Sequence, residues 1–275
     1  MALLVGAVTG AGVLEAENLH SVPASAAGVA PPTKVANPPA PPAAASQIVK
    51  SVSPSIVAVT AANGNHSPDT GTGMIITSTG QILTNNHVVE GATVISVALN
   101  GSTTQLPAVL VGADPDQDVA LLQITNQTGL AAVAFADSTQ VQVGDPVVAI
   151  GNPLALGDSA SVTSGIISAL NRQITAGDST GTFTGLFQTN AAVTPGNSGG
   201  ALLNSSGQVI GMNTAIAGST DGPSAQNIGF AIPSNQLEAL MSGLESGGDG
   251  SSSNPAGSDP SGGYQSPDGY GGLAF

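Results

Sequence analysis

Short runs of β-branched and aliphatic residues, broken at close intervals by turn-forming residues, limit what this chain can fold into. Ile56-Val57-Ala58-Val59-Thr60 is the first run. Met74-Ile75-Ile76-Thr77 and Gln81-Ile82-Leu83-Thr84 follow, flanking Ser78-Thr79-Gly80. Residues 94–99 lead into Asn100-Gly101, a pair that tolerates the left-handed backbone of a tight hairpin. Residues 106–111 and 119–124 complete this series, and a second runs from 146 to 232. Regularly spaced short strands with few helical periods specify an all-β barrel or sandwich.

One helical pattern stands at the end. Leu237, Leu240, Met241 and Leu244 fall at i, i+3, i+4 and i+7, a single apolar face, and Ser234 or Asn235 can cap its start. Ordered structure is expected to begin near Gln47, with Ile48, Val49 and Val52 ahead of Pro54. Upstream, residues 1–46 read as a leader and linker. Residues 2–14 are mildly apolar, too short to span a membrane as a helix, and resemble a signal-peptide core. Ala24-Ser25-Ala26 resembles a cleavage site, although no Lys or Arg precedes the apolar stretch and Glu15 and Glu17 lie before the site. The Pro/Ala-rich stretch 21–46 reads as an extended spacer able to hold a folded domain off a membrane or wall. Residues 246–275, Gly- and Ser-rich, lack the apolar content to order themselves.

Three Lys+Arg against 17 Asp+Glu give a formal charge of −14, which argues against nucleic acid or an anionic membrane surface as partner. With no cysteine there is neither disulfide nor thiolate metal site. The Lys-poor, Ala/Ser/Thr/Gly-rich composition suits an extracytoplasmic protein. With only 5 Phe, 2 Tyr and no Trp, the core must come from Val, Ile, Leu and Ala.

Chemistry concentrates in Pro195-Gly196-Asn197-Ser198-Gly199-Gly200-Ala201-Leu202. Glycines on both sides of Ser198 allow an unusual backbone and close approach of another segment. Such a turn presents the Ser198 hydroxyl while the N–H groups of Gly196 and Ser198 converge, as an oxyanion hole requires. A hydroxyl needs an adjacent base, and the base an orienting carboxylate. Of the three histidines, His87 alone has a suitable setting, in Thr84-Asn85-Asn86-His87-Val88-Val89; His20 and His66 lie in polar or Gly/Pro-rich stretches. Asp118 stands at the mouth of the apolar run Val119-Ala120-Leu121-Leu122. Asp114 and Asp116, beside Pro115, read as turn formers, yet spacing alone leaves Asp116 open as the carboxylate.

These three blocks resemble the catalytic blocks of HtrA/Deg-type trypsin-like serine proteases. Further matches are Ile150-Gly151-Asn152-Pro153, Val162-Thr163-Ser164-Gly165-Ile166-Ile167-Ser168-Ala169, Ile210-Gly211-Met212-Asn213-Thr214-Ala215-Ile216 and Ile228-Gly229-Phe230-Ala231-Ile232-Pro233-Ser234-Asn235. They run in family order from about residue 47 to 244. The resemblance implies two six-stranded antiparallel β-barrels, 47–135 and 136–245 with the terminal helix, and a triad of His87, Asp118 and Ser198. It selects Asp118 over Asp116. It implies hydrolysis of peptide bonds in unfolded or misfolded proteins, with no cofactor and no metal. Ala192 is placed at the base of the P1 pocket, with Ile166 and Ile216 narrowing it and Thr214 beside the substrate, so small aliphatic P1 residues are expected. Asn197, being neutral, cannot form the buried ion pair with a new N-terminus that activates zymogen-type relatives. HtrA-type proteases commonly continue into a PDZ domain, which 246–275 cannot form. They often trimerise through aromatic residues near the protease N-terminus, and residues 40–56 contain none, so a homotrimer is not expected.

Overall fold

The computed structural model describes residues 43–64, 67–152, 160–175, 181–194, 196–214 and 228–247. The expected leader, most of the spacer, and the tail from 248 lie outside these residues.

Among the described residues, twelve strands close into two antiparallel barrels. The first contains β1 (Ile56–Ala62), β2 (Asp69–Ile75), β3 (Gln81–Thr84), β4 (Val94–Leu99), β5 (Gln105–Asp114) and β6 (Val119–Ile124), in the order β1-β2-β3-β6-β5-β4. Pairing of Val57 with Leu99 and Ala62 with Val94 shuts the ring. The second contains β7 (Pro146–Gly151), β8 (Ser161–Thr175), β9 (Thr182–Thr189), β10 (Ala201–Leu203), β11 (Val209–Thr214) and β12 (Gly229–Pro233), in the order β10-β11-β12-β9-β8-β7. All-β was legible from periodicity, and the two-barrel form followed from the family resemblance.

Strand alternation explains how the barrels fill and how they meet. On β6, Ala120, Leu122 and Ile124 point into the first barrel, whereas Val119 and Leu121 join a separate cluster. On β7, Val147 and Ala149 fill the second barrel, and Val148 and Ile150 enter that same separate cluster. Residues of both barrels therefore share a third core between them. Because both faces are buried, these strands read as continuous apolar runs and not as alternating ones.

Three α-helices accompany the barrels in the described fold. Helix α1 (Ala43–Val52) starts four residues ahead of the expected Gln47, and lays Ile48 and Val52 on the shared core. Helix α2 (Asn86–Val89) is a single turn after β3. Helix α3 (Ser234–Glu245) buries Leu237 and Leu244 as its periodicity requires. Its cap differs from expectation: Pro233 is the N-cap residue and no side chain caps the end. Ser234 Oγ instead donates to Ala136 O at 2.6 Å, and Asn235 Oδ1 accepts from Ser138 N at 2.8 Å. Both candidate caps tie the helix to the segment joining the barrels. The helix also presses on the first barrel: a Cβ at Gly112, beside the β5 bulge, would lie 2.3 Å from Leu244 O.

Candidate active site

His87 is delivered by β3. The strand ends at Thr84, Asn85 stays extended (ψ 148°), and α2 begins, with Val88 and Val89 buried in the first barrel as its anchors. The His87 side chain remains 43% exposed against 4% for Asp118.

Asp118 closes the β5–β6 turn in the left-handed region, φ +55°. That backbone is costly for a residue with a Cβ, by roughly 1–2 kcal/mol, and its neighbours hold it. Asn85 Nδ2 donates to Asp118 O at 2.8 Å, Asp118 N donates to Pro115 O at 3.3 Å, and Asp114 Oδ1 accepts from Gln117 N at 3.0 Å. Burial pushes the Asp114 carboxyl above the ordinary carboxylate range. The Asp118 carboxylate faces His87: Oδ1 accepts the His87 backbone N–H at 3.0 Å, and Nδ1 lies 3.0 and 2.9 Å from Oδ1 and Oδ2. A carboxylate only accepts, so Nδ1 is the donor, and in the neutral ring Nε2 is then the acceptor. A further donor comes from the second barrel, where Thr214 Oγ1 reaches Asp118 Oδ2 at 3.1 Å.

Ser198 sits in the turn before β10, buried, between Gly196 (φ +93°) and Gly199 (φ +85°). Space as well as φ demands glycine here. A Cβ at Gly199 would stand 2.0 Å from Thr72 O, and one at Gly200 2.2 Å from Ile150 O. The turn is fastened on two sides. Thr72 N, on β2, donates to Ser198 O at 2.9 Å, while Gly199 N donates to Asn213 O and Asn213 N to Gly200 O, at 2.9 and 2.8 Å. Asn213 and Thr214 are consecutive on β11, so one strand end holds the serine turn and binds the aspartate.

Residues 71–212 match the trypsin-like peptidase domain. The chain belongs to the trypsin-like peptidases. It is similar to the periplasmic serine endoprotease DegP of Escherichia coli K12, 49% identical over 173 residues that make up 62% of this chain and 35% of that protein. Serine protease PepD of Mycobacterium tuberculosis is 38% identical over 239 residues, 81% of this chain and 50% of PepD. The solved HtrA-type protease AlgW with tripeptide superposes with a TM-score of 0.61 at 35% identity, covering 73% of this chain and 63% of that one. Within the trypsin-like peptidases the chain is of the HtrA type, and it spans a third to a half of the length of these curated relatives.

The remaining expected positions of this trypsin-like peptidase lie on the second barrel where they are described. Ala192 O accepts from Thr163 Oγ1 at 2.8 Å. Its segment runs between two glycines: a Cβ at Gly165 would meet Ala191 N at 2.4 Å, and one at Gly229 would meet Ala191 O at 2.9 Å. Ile166 is 41% exposed, its N–H on Asn190 Oδ1 at 2.8 Å. Thr214, expected beside the substrate, directs its hydroxyl to Asp118. Ile216 lies outside the described residues. Sequence reasoning gave no role to Thr72, Asn85 or Asn213. All three act on backbone atoms across long separations in the chain, and no local spacing announces that.

Proposed function

We propose that this chain is a serine endopeptidase that cleaves unfolded or misfolded proteins outside the cytoplasm. The observation that carries the reading is the His87–Asp118 pair, with Nδ1 between both carboxylate oxygens at 2.9 and 3.0 Å. Ser198 attacks a peptide carbonyl, His87 Nε2 takes its proton and later returns it to the leaving amine, and Asp118 stabilises the imidazolium. The N–H groups of Gly196 and Ser198 receive the oxyanion, where each donor is worth about 100- to 1000-fold in rate.

Buried Asn197 donates its Nδ2 to Thr194 Oγ1 at 3.2 Å, a neutral arrangement that needs no new N-terminus. Activity without prior N-terminal cleavage follows. With Ala192 and Ile166 at the P1 pocket there is no charge to attract Arg or Lys, and small aliphatic P1 residues are preferred. The periplasmic designation of relatives such as DegP supports the location.

Fluorophosphonate labelling and degradation of an unfolded protein, compared between wild type and Ser198→Ala, test this. Both signals are expected in wild type and absent in the variant. A wild type that neither labels nor degrades overturns the reading.

A further inference from the structure

Thr72, fully buried at the middle of β2, touches the serine turn with more than its backbone. Its hydroxyl lies 2.6 Å from Gly196 O and 2.8 Å from Asn152 N. A backbone N–H can only donate, so the hydroxyl accepts from Asn152 and spends its single proton on the Gly196 carbonyl. The position of Thr72 is itself fixed by Thr84 Oγ1, which donates to Thr72 O at 2.7 Å. Thr84 ends the strand that delivers His87, Asn152 follows β7, and Gly196 opens the serine turn. One residue gathers all three, Asn152 and Gly196 through its hydroxyl and Thr84 through its carbonyl.

The geometric consequence follows from peptide planarity. The 196–197 peptide is pinned at both edges, its oxygen by Thr72 and its N–H by Thr194 O at 2.9 Å. In the next peptide, Asn197 O accepts from Gly200 N at 3.0 Å, which turns the Ser198 N–H the opposite way. Neither plane can rotate without breaking one of these bonds.

We propose that Thr72 is the positioning residue of the oxyanion hole: reaching from the first barrel, its hydroxyl holds the Gly196–Asn197 peptide, the link between the two peptides that carry the Gly196 and Ser198 N–H groups. This rests on Ser198 being the nucleophile. The flanking glycines fit the role. A Cβ at Gly71 would meet Val88 at 2.7 Å and Ser198 O at 3.3 Å, and one at Gly73 would meet Ile82 at 2.6 Å. Backbone this close to both α2 and the serine turn leaves room for one hydroxyl-bearing side chain between two glycines.

The test compares Thr72→Val, which keeps the shape and removes the hydroxyl, with Thr72→Ser, which keeps the hydroxyl. Two quantities are measured: the second-order rate of fluorophosphonate labelling across pH, and amide hydrogen exchange at Asn152 and Asn197. Thr72→Val is expected to label about 100-fold more slowly, the scale of one lost oxyanion donor, and Thr72→Ser within about 3-fold of wild type. The pH midpoint of labelling stays put in both, because the His87–Asp118 pair is untouched. Exchange at Asn152 and Asn197 rises in Thr72→Val alone. If Thr72→Val does not fold, Thr72→Cys, similar in size but a weak donor, takes its place with an intermediate loss. Labelling of Thr72→Val at the wild-type rate, equal losses in Val and Ser, or a midpoint that moves with the rate overturns the proposal. A wild type that fails to label removes Ser198 as nucleophile and with it the proposal. Unchanged exchange in Thr72→Val, by contrast, overturns the clamp alone.

Discussion

Asp118 carries the heaviest constraint on a single residue: a left-handed backbone, a buried carboxylate and three donors, namely the His87 N–H, His87 Nδ1 and Thr214 Oγ1. Asp118→Asn keeps the shape and one acceptor for the His87 amide, but turns an NH₂ toward Nδ1. That forces the proton onto Nε2 and removes the base, so labelling is expected to fall about 10⁴-fold with little change in melting temperature. A variant that labels normally would refute the assigned tautomer. Spacing alone could not choose between Asp116 and Asp118, because both follow Pro115 in a turn, and only the family resemblance singled out Asp118. What separates them is burial and pairing: Asp116 is exposed, while Asn85, far away in the chain, grips the Asp118 carbonyl. At the residue scale, candidates stood out where side-chain type decides, as at Ser198 and His87. It was hidden where a threonine or asparagine serves distant backbone atoms, as at Thr72 and Asn213.

Among the elements, strands were the most readable, because β-branched runs bounded by glycine and asparagine dictate their own ends. Gln81–Thr84, Val94–Leu99 and Val119–Ile124 form where the sequence places them. Helix ends were less readable. Alanines after a proline-rich spacer hid the start of α1, and the two plausible caps of α3 are used to hold another segment. Asp137 belongs to that tether. The Thr139 hydroxyl and N–H, with Asn235, lower its carboxyl from 3.8 to about 2. A folded pKa below the ordinary one means that the folded state resists protonation. The contribution of Asp137 to the tether is therefore complete above 3.8 and is lost as pH falls toward 2. Asp137→Asn should melt below wild type at pH 6, with the gap closing as pH drops through that window; a gap independent of pH would exclude the linkage.

At the scale of the whole molecule, the shared core makes the barrels one structure. Leu121 on β6 and Ile150 on β7 meet in it, with Ile48 of α1 and Leu237 and Leu244 of α3 packed on the same cluster. Scanning calorimetry should record one transition, and Leu121→Ala should destabilise it by about 2–5 kcal/mol without splitting it. Two separate transitions would show that each barrel stands alone. The serine turn is held by Thr72 from one barrel and Asn213 from the other, and Asp118 by Asn85 and Thr214 in the same fashion. Along the chain, His87 and Asp118 come long before Ser198 and the β11 strand that holds its turn. On the proposed reading the three residues form one site only when both barrels have closed on their common core.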